Sequence, residues 1–301
     1  MVSEQHVLLI GGSGFVGRHL APRLRQSGWS VQIASRHPDK EFLPAAMGRT
    51  TAVVADVRDE EQVRSAVAGA DAVINLVGIV REQKQSFAAV HVEGAARIAR
   101  LAIEAGVRRL LHFSALGVAE DAPAAADRTK ARGEAAVRAA FPGAMLVRPS
   151  LIYGSGDHFF SHFATMARSS PALPVIGAGR TRFQPIHIED AVRTLAAVLH
   201  RPEAVGSTLA LVGPEIFTFR ELLQRMLAAL GLRRLILPIP FLLAEQLARG
   251  FAWLPNPPLT REDGRLLRTD KVAGDLPTPA SFGIAARSLQ DGLAASLRVP
   301  R

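Results

Sequence analysis

Short apolar runs recur along the first half of the chain, and segments with helical periodicity lie between them. The runs span 6–10, 30–35, 51–55, 71–77, 109–114 and 144–148, and the helix-like segments include 15–27, 59–68, 87–106 and 128–141. Apolar strands that alternate with helices predict βαβ units around a parallel sheet that is buried on both faces. The expected fold class is therefore α/β, with a doubly wound parallel sheet.

The first apolar run leads directly into the glycine-rich turn GGSGFVG at 11–17. Gly11 permits the tight turn, Gly14 lets a pyrophosphate approach the backbone, and Gly17 lets the following helix pack closely. The amino end of that helix favours negative charge. In a strand–turn–helix context at the start of a βαβ series, this spacing predicts a Rossmann-like dinucleotide-binding site. A structural turn without a ligand is the alternative.

The residues that end the second strand bear on which dinucleotide is bound. A site that prefers NAD usually has an acid there, which binds the ribose hydroxyls. Ser35 and Arg36 occupy this place instead, and the first acid is Asp39. Because Arg36 could pair bidentately with a 2′-phosphate, NADP(H) is favoured over NAD(H), which stays open. The alternative for Arg36 is a solvated surface side chain.

The regular alternation ends near residue 150, and shorter elements follow. A strand is expected at 207–213. A helix is expected at 218–231, with Thr218 as its N-cap and Gly231 as its stop. Within 182–200 a strand should lead into another helix, capped near Glu189 and Asp190.

These elements suggest two parts. Residues 1–150 form the expected dinucleotide-binding Rossmann domain, whose sheet is completed by later segments. Residues 151–301 form a small lobe for a substrate or a partner, with apolar C-terminal helices. The space between the two parts is where a substrate or partner group would enter.

The most apolar stretch of the chain lies at 235–258, and a helix is predicted within it from Phe241 to about Trp253. Its apolar face would carry Leu242, Leu243, Leu247, Phe251 and Leu254, with Glu245, Gln246 and Arg249 opposite. Such a helix either packs on the small lobe or lies on a membrane or a partner subunit. The nearby arginines Arg233, Arg234 and Arg249 would suit anionic lipid.

Composition and charge narrow the class of protein. With 48% hydrophobic and 21% charged residues among 301, the chain reads as globular. The net charge of +9 is spread along the chain, which suits an anionic cofactor, an acidic partner or an anionic membrane rather than nucleic acid. The absence of cysteine excludes disulfides and thiolate chemistry.

Two further features bear on location. The N-terminus lacks the pattern of a signal peptide. No apolar stretch approaches the ~20 residues of a membrane span. The expected location is cytoplasmic, with association at the inner face of the membrane as an option.

Several motifs together resemble the extended and atypical short-chain dehydrogenases/reductases. They are GGSGFVG (11–17), ADV (55–57), NLVG (75–78), HFSALG (112–117), TKARGE (129–134) and LVRPSLIYG (146–154). Three stretches of the second half, 156–168, 173–192 and 257–272, look like one atypical branch of that family. That branch contains the nucleotide-binding accessory subunit of respiratory complex I (NADH:ubiquinone oxidoreductase) and its bacterial relatives.

The resemblance implies a set of cofactor contacts. The phosphates should sit over Ser13 to Val16, which includes Gly14 and Phe15. Arg36 should meet the adenosine ribose, and Asp56 with Val57 the adenine. The remaining implied contacts are Val77 and Gly78 behind the cofactor, and Ser114, Lys130 and Pro149 near the nicotinamide ribose.

The catalytic set of that family is incomplete in this chain. Active members use a Tyr four residues before a Lys, with a Ser that orients the substrate. Here Ser114 and Lys130 match, but Ala126 stands at the tyrosine position and cannot transfer a proton. Ser114 and Lys130 are therefore the remnant catalytic residues, and Lys130 would be kept to bind ribose hydroxyls. Dehydrogenase activity that depends on tyrosine is predicted to be absent.

Other residues offer alternative chemistry. Tyr153 is the single tyrosine, and it either substitutes for the missing acid or packs in the core. Ser114 and Lys130 could form a nucleophilic pair, but nothing in the sequence suggests an oxyanion hole. His158 and His162 have metal-ligand spacing on one helix face, with no third ligand near, so a pocket wall or plain surface is favoured and no metal is expected.

Three functions are compatible with these features. The favoured one is an NADP(H)-binding accessory or assembly protein linked to respiratory complex I or quinone metabolism. An NAD(P)H-dependent reductase or epimerase with a non-standard proton donor is the alternative, acting on a quinone precursor, an isoprenoid-like molecule or a sugar nucleotide. A cofactor-sensing regulator has only the fold in its favour. The expected partners are the dinucleotide, respiratory or quinone-related proteins and a peripheral membrane surface.

Overall fold

The computed structural model describes residues 5–37, 50–250, 253 and 260–296. Its strands are β1 (His6–Ile10), β2 (Ser30–Ser35), β3 (Thr50–Val54), β4 (Ala72–Asn75), β5 (Arg109–Phe113), β6 (Met145–Pro149), β7 (Ile152–Tyr153), β8 (Ala172–Ile176), β9 (Arg182–Phe183), β10 (Ile186–His187), β11 (Thr208–Leu211), β12 (Phe217–Thr218) and β13 (Leu235–Ile239).

The α-helices are α1 (Phe15–Gln26), α2 (Glu60–Val67), α3 (Ala95–Glu104), α4 (Ala125–Ala140), α5 (Phe159–Ser169), α6 (Ile188–Val198), α7 (Phe219–Ala229), α8 (Phe241–Gly250), α9 (Arg261–Leu266) and α10 (Leu289–Ser296). A π-helix, Ala88–Gly94, runs directly into α3. Short 3₁₀ turns lie at Gly177–Gly179, Pro202–Ala204 and Pro279–Phe282.

The predicted α/β fold with a doubly wound parallel sheet is confirmed. Seven parallel strands pair in the order β11-β6-β5-β4-β1-β2-β3. Leu20 of α1 and Leu195 of α6 join the apolar cluster on one face, while Val63 of α2, Ile98 of α3 and Val137 of α4 join the cluster on the other. Helices on both faces explain why the central strands are apolar throughout.

The strand order reverses direction between β1 and β4. β2 and β3 follow on one side of β1, whereas β4, β5 and β6 follow on the other. The loops that leave the carboxyl ends of β1 and β4 therefore separate and leave a crevice between them. In doubly wound sheets this crevice is where ligands bind.

The chain returns to the sheet after residue 150. β11 pairs with β6 at the edge of the sheet, with Thr208 opposite Leu146 and Leu211 opposite Pro149. α6 packs against α1 on the same face. Later segments thus complete the sheet, and the division into two domains at residue 150 stays a prediction.

Smaller pieces surround a second apolar core. The pairs β7–β10, β8–β13 and β9–β12 are each two-stranded. Residues of α5, α7 and α10 pack together around Tyr153 and Phe160. α7 begins as predicted, because Thr218 and Glu221 form a capping box, and Gly231 follows its end with a φ of +67°.

The cap of α6 differs from the expectation. His187 is the N-cap, since its Nδ1 accepts a hydrogen bond from the Glu189 N–H at 3.2 Å. Glu189 and Asp190 lie instead in the first turn, where negative charge is favourable beside the helix dipole. The His187 imidazole therefore caps α6, and the two acids do not.

The orientation of α8 also corrects the prediction in part. Leu242, Leu243 and Leu247 are exposed, and Ala244 and Ala248 face the protein. Gln246 and Arg249 are exposed with the leucines rather than opposite to them, and Glu245 is half-buried in an ion pair with Arg268 at 2.7 Å. Phe251 and Leu254 lie outside the described residues.

Candidate functional site

The glycine-rich turn between β1 and α1 leaves its backbone open to a ligand. Gly11 has a φ of +78°, and its N–H donates to the Ala34 carbonyl at 2.8 Å. A Cβ at Gly17 would overlap the Gly12 carbonyl oxygen, whereas a Cβ at Gly14 would stand 3.3 Å from the Gly11 carbonyl oxygen. Gly17 therefore lets α1 pack against the turn, and Gly14 keeps the outer surface of the turn clear.

A cleft of about 300 Å³ opens in front of this turn, at the carboxyl ends of β1 to β4. Its lining includes most of the residues predicted to bind the cofactor: Gly11, Ser13, Gly14, Arg36, Asp56, Val57, Val77 and Gly78. Phe15 and Val16 occupy the first turn of α1, with Gly17 behind them. Ser114, Lys130 and Pro149 lie outside the lining of this cleft.

One end of the cleft carries charge of both signs. Arg36 is exposed, and the Oγ of the adjacent Ser35 is buried without a hydrogen-bond partner in the described part of the chain. The Asp56 carboxylate accepts from the guanidinium of Arg58 at 2.7 Å. This hydrogen bond lowers the pKa of Asp56, and the charge of Arg36 adds to the effect. Arg36 is thus an exposed cation that lines this end of the cleft.

Ser114 and Lys130 lie on the other side of β1, toward β5 and α4. A Cβ at Gly78 would stand 4.0 Å from Lys130 Cε, so the lysine adjoins the end of the cleft that Gly78 lines. Burial lowers the pKa of Lys130, and the nearby Lys271 lowers it further, against the opposing charges of Asp127 and Glu134.

Both members of this remnant pair lack partners. The Ser114 Oγ is buried and has no hydrogen-bond partner within the residues that the structure covers. The Lys130 ammonium makes no hydrogen bond or ion pair to any described residue. Pro149, at the end of β6, receives a hydrogen bond from the Leu116 N–H on its carbonyl at 3.0 Å. Burying polar groups without partners is costly, which favours a bound ligand that supplies them.

His91 is a functional candidate that the sequence did not reveal. It lies in the π-helix, and its Nε2 accepts from the Ile79 N–H at 3.1 Å, directly after Gly78. Its Nδ1 lies 3.0 Å from Thr129 Oγ1 and therefore acts as the donor. A Cβ at Gly133 would overlap the His91 carbonyl oxygen, so the glycine of TKARGE lets α4 approach the π-helix closely.

His112 has a comparable role next to β4. Asn75 Oδ1 accepts from the Val77 N–H at 3.1 Å, which turns Asn75 Nδ2 toward His112 Nδ1 at 3.0 Å. Burial lowers the pKa of His91 to about 3 and that of His112 to about 4. Both rings are therefore neutral near pH 7, and their contacts fix the loop that follows β4.

The tyrosine position is covered by a segment that we call the C-terminal strap, residues 260–273. Ala126 is 3% exposed, and its N–H donates to Glu262 Oε1 at 2.7 Å. Lys271 forms an ion pair with the buried Asp127 at 2.7 Å, and its carbonyl accepts from Ser150 Oγ at 2.6 Å. The strap overlaps the 257–272 stretch that carried part of the family resemblance, but the pairing of Glu262 with α4 had no local signal in the sequence.

Tyr153 lies in the second apolar core. It is fully buried, and its hydroxyl donates to the Ser288 carbonyl at 3.3 Å. Burial raises its pKa, so the phenol stays neutral at physiological pH. The packing alternative for Tyr153 is therefore the one that the structure supports.

His158 precedes α5 as its N-cap residue, and His162 lies one turn further along the helix. Both are exposed. In the described ranges no group of three His, Cys, Asp or Glu side chains could hold a metal ion. The exposure of both rings fits the surface alternative.

A comparison with protein-family models matches residues 7–213 to the NAD dependent epimerase/dehydratase family. The chain belongs to this family. The matched range runs from β1 to the residues just after β11, so it spans the whole parallel sheet and the cleft. The resemblance to extended short-chain dehydrogenases is thereby confirmed.

Two relatives of known name align with nearly all of the chain. NADH dehydrogenase [ubiquinone] 1 alpha subcomplex subunit 9, mitochondrial, of Rattus norvegicus is 31% identical over 96% of this chain and 78% of its own length. Ceramide reductase of Caulobacter vibrioides is 30% identical over 92% of this chain and 90% of its own length. The expected likeness to complex I accessory subunits is confirmed.

Solved structures of the epimerase/dehydratase type share the fold. DesIV, a dTDP-glucose 4,6-dehydratase from Streptomyces venezuelae with NAD and TYD bound, has a TM-score of 0.75 at 20% identity, over 98% of this chain and 96% of that one. WbmG of Bordetella bronchiseptica, in complex with NAD, has a TM-score of 0.72 at 16% identity, over 98% of this chain and 94% of that one.

The helices in the described part of the chain are too short or too polar to span a bilayer.

Proposed function

We propose that this protein binds NADP(H) in the cleft and holds it without proton transfer by a tyrosine. One observation carries the proposal. Ser35 Oγ in the lining of the cleft and Ser114 Oγ beyond its lining are buried without hydrogen-bond partners in the described part of the molecule. The half-buried Lys130 ammonium, which adjoins the end of the cleft that Gly78 lines, has no partner there either. Burial of the two hydroxyls is costly unless a ligand supplies the missing hydrogen bonds.

The geometry fits a dinucleotide along its length. The turn at Ser13 and Gly14 and the first turn of α1 would receive the pyrophosphate, because the helix dipole and the N–H groups at the amino end of α1 favour an anion there. Arg36 and Ser35 would contact the 2′-phosphate of the adenosine ribose, and Lys130 the nicotinamide ribose. A nicotinamide cofactor, when bound, supplies a hydride donor or acceptor.

The residues beside that ribose are poorly suited to proton transfer. Ala126 carries only a methyl group, and the strap covers it. His91 and His112 are neutral and are committed to Ile79, Thr129 and Asn75. This arrangement supports a structural or regulatory use of the cofactor, in an accessory or assembly protein linked to respiratory complex I or quinone metabolism. The complex I subunits among the relatives support that link.

A reductase is the second candidate, and two observations favour it. Burial lowers the pKa of Lys130, which brings an ammonium nearer to the range in which it can donate a proton. Ceramide reductase, a relative over 90% of its length, is named as an enzyme that acts on a lipid. A quinone precursor, an isoprenoid-like carbonyl or a keto-lipid is the substrate class that this reading implies.

The two candidates differ in what Lys130 does. We would measure the nucleotide released from the purified protein by mass spectrometry, and NADPH oxidation with a panel of quinones, ketones and keto-lipids. The accessory function predicts about one NADP(H) bound per chain. It also predicts that NADPH is oxidised no faster than in the same mixture without protein. Steady oxidation that Lys130→Arg abolishes while NADPH still binds would establish the reductase instead. Protein that neither carries nor binds a dinucleotide would refute both.

A further inference from the structure

The side chains of α8 are distributed in the reverse of the usual order for a surface helix. Leu242 is 75% exposed, Leu243 46% and Leu247 37%, while Ala244 and Ala248 are 2% and 4% exposed. Amphipathic helices normally turn their large apolar residues to the core. Trp253, shortly after the helix, is 81% exposed. Helix α8 therefore presents its leucines to the surroundings of the molecule.

A cationic groove lies beside this helix. It has a volume of about 670 Å³ and is bordered by α8, α9, the start of α4 and the loop after β4. Four arginines line it, namely Arg81, Arg249, Arg261 and Arg265, with two carboxylates, Glu82 and Glu262. The groove therefore has a net positive charge.

The carboxylates of the groove are engaged by the protein. Glu82 accepts from the Phe87 N–H at 2.7 Å, and Glu262 accepts from the Ala126 N–H at the same distance. Arg81 is paired with Asp263 at 2.8 Å.

The other arginines of the groove have a different environment. Arg249, Arg261 and Arg265 are exposed and make no ion pair or hydrogen bond to any residue in the described ranges. Three guanidinium groups thus remain for an anionic partner.

The combination of features selects among possible occupants. A second copy of the chain, docked symmetrically through this surface, would bring two such arginine clusters into one interface, and like charges repel. Free phosphate would meet the arginines but leave the leucines and Trp253 uncovered. An anionic bilayer offers phosphates to the guanidinium groups and acyl chains to the leucines, and tryptophan is favoured at the boundary between them.

We propose that α8, Trp253 and Arg249, Arg261 and Arg265 form a membrane-docking surface for bilayers that contain anionic phospholipid. The helix lies in the plane of the interface, because its ten residues span only about 15 Å, half of a hydrocarbon core. The arginines bind lipid phosphates at the rim. This inference goes beyond the proposed function, since it needs neither the cleft nor a dinucleotide.

The first test uses vesicles of phosphatidylcholine, with and without phosphatidylglycerol, in a flotation assay on the full chain. We expect binding to the anionic vesicles, weakened by salt, and little binding to the neutral ones. Trp253 emission should shift to shorter wavelength and become protected from a soluble quencher. Trp29 is 5% exposed and should contribute little to that change, which Trp253→Phe would verify.

Matched variants separate this surface from general stickiness. Leu242→Ser, Leu243→Ser and Leu247→Ser together should abolish flotation. R249Q/R261Q/R265Q should weaken it about 100-fold, at roughly fivefold per arginine near an anionic surface. None of these exposed side chains supports the core, so both variants should fold.

The controls lie near the amino ends of the sheet strands, away from the groove, which adjoins the loop after β4. Ile103 and Val205 are 49% and 48% exposed, near the amino ends of the strands, and Ile103→Ser with Val205→Ser removes similar apolar surface. R25Q/R108Q/R201Q removes the same charge there. Both controls should float like the unaltered protein.

Other outcomes would overturn the proposal. Equal loss in both arginine triples would mean that overall charge drives binding. Equal flotation with neutral and anionic vesicles would exclude the role of the arginines. Absence of flotation would refute the surface outright. If, in addition, the leucine variant dissociated an oligomer in sedimentation experiments, a second copy would be the occupant of α8.

Discussion

Arg36 and Ser35 are adjacent residues with different contributions to cofactor choice. Arg36 is exposed, whereas the Ser35 Oγ is buried and has no hydrogen-bond partner in the described part of the chain. A 2′-phosphate could accept from both. A 2′-hydroxyl would still satisfy the serine but would gain little from the guanidinium.

Arg36→Ala should therefore weaken the binding of NADPH by roughly 10- to 100-fold, as expected for the loss of one charge-assisted contact. The binding of NADH should weaken by much less. Isothermal titration with each nucleotide measures the two losses. Arg58→Ala is the matched control, because it removes a neighbouring guanidinium that is occupied by Asp56. Equal losses for NADPH and NADH after Arg36→Ala would contradict the assignment of NADP(H).

At the scale of single residues, the sequence was informative where the chemistry depends on residue type and local spacing. The glycines of the turn and Arg36 line the cleft or lie directly behind it, because the first βαβ unit places them by local geometry. Lys130, which lies beside the cleft, was expected there only from the family resemblance. His91 and Glu262 were not foreseen. Each acts through a contact with a segment distant along the chain, to Thr129 and to Ala126, and such pairings have no periodic signal.

At the scale of elements, the turn between β1 and α1 separates two uses of glycine. Gly17 is needed for packing, because any Cβ there would collide with the Gly12 backbone. Gly14 is not, because a Cβ there meets only the Gly11 carbonyl oxygen at 3.3 Å. Its lack of a side chain matters for the proposed pyrophosphate site rather than for packing.

Gly17→Ala should accordingly destabilise the cofactor-free protein by about 1–3 kcal/mol through overpacking. Gly14→Ala should leave the stability within about 0.5 kcal/mol of the unaltered protein and should weaken the binding of the dinucleotide instead. Urea denaturation of the cofactor-free variants, followed by nucleotide titration, measures both effects. Unchanged affinity in Gly14→Ala would show that the phosphates do not lie over the turn.

Element boundaries of the first half followed from hydrophobic periodicity, since strands buried on both faces leave a clear apolar signal. Periodicity could not show that 87–106 contains a π-helix before α3, where α4 approaches closely at Gly133, because such a contact with a segment distant along the chain leaves no periodic signal. It also identified an apolar face on α8 without indicating its direction. Which side of a helix faces the protein depends on tertiary packing.

At the scale of the whole molecule, the two buried histidines couple stability to pH. Their pKa values lie at about 3 and about 4 in the folded protein, below the usual 6.5. The unfolded chain therefore binds protons on both rings between about pH 4 and 6, while the folded protein does not. Stability from this source is present above pH 6.5 and falls as the pH decreases.

Each histidine should contribute a slope of about 1.4 kcal/mol per pH unit within that window. His91→Gln should remove roughly that much from the pH dependence of the free energy of unfolding, measured by urea denaturation between about pH 5 and 6. His162→Gln, at an exposed position of α5, serves as the control and should leave the slope unaltered. An unchanged slope in His91→Gln would mean that the ring is protonated in the folded protein.

The ionisation of the single tyrosine can be used to measure how fast the second apolar core opens. Tyr153 is fully enclosed between Phe160, His187 and α10, and burial raises its pKa. When the pH is above the ordinary tyrosine pKa of about 10, an exposed phenol ionises at once. The phenol of Tyr153 should ionise only after the second apolar core has opened. The absorbance of phenolate after a jump to high pH therefore records the opening of that core, with no competing tyrosine elsewhere in the chain.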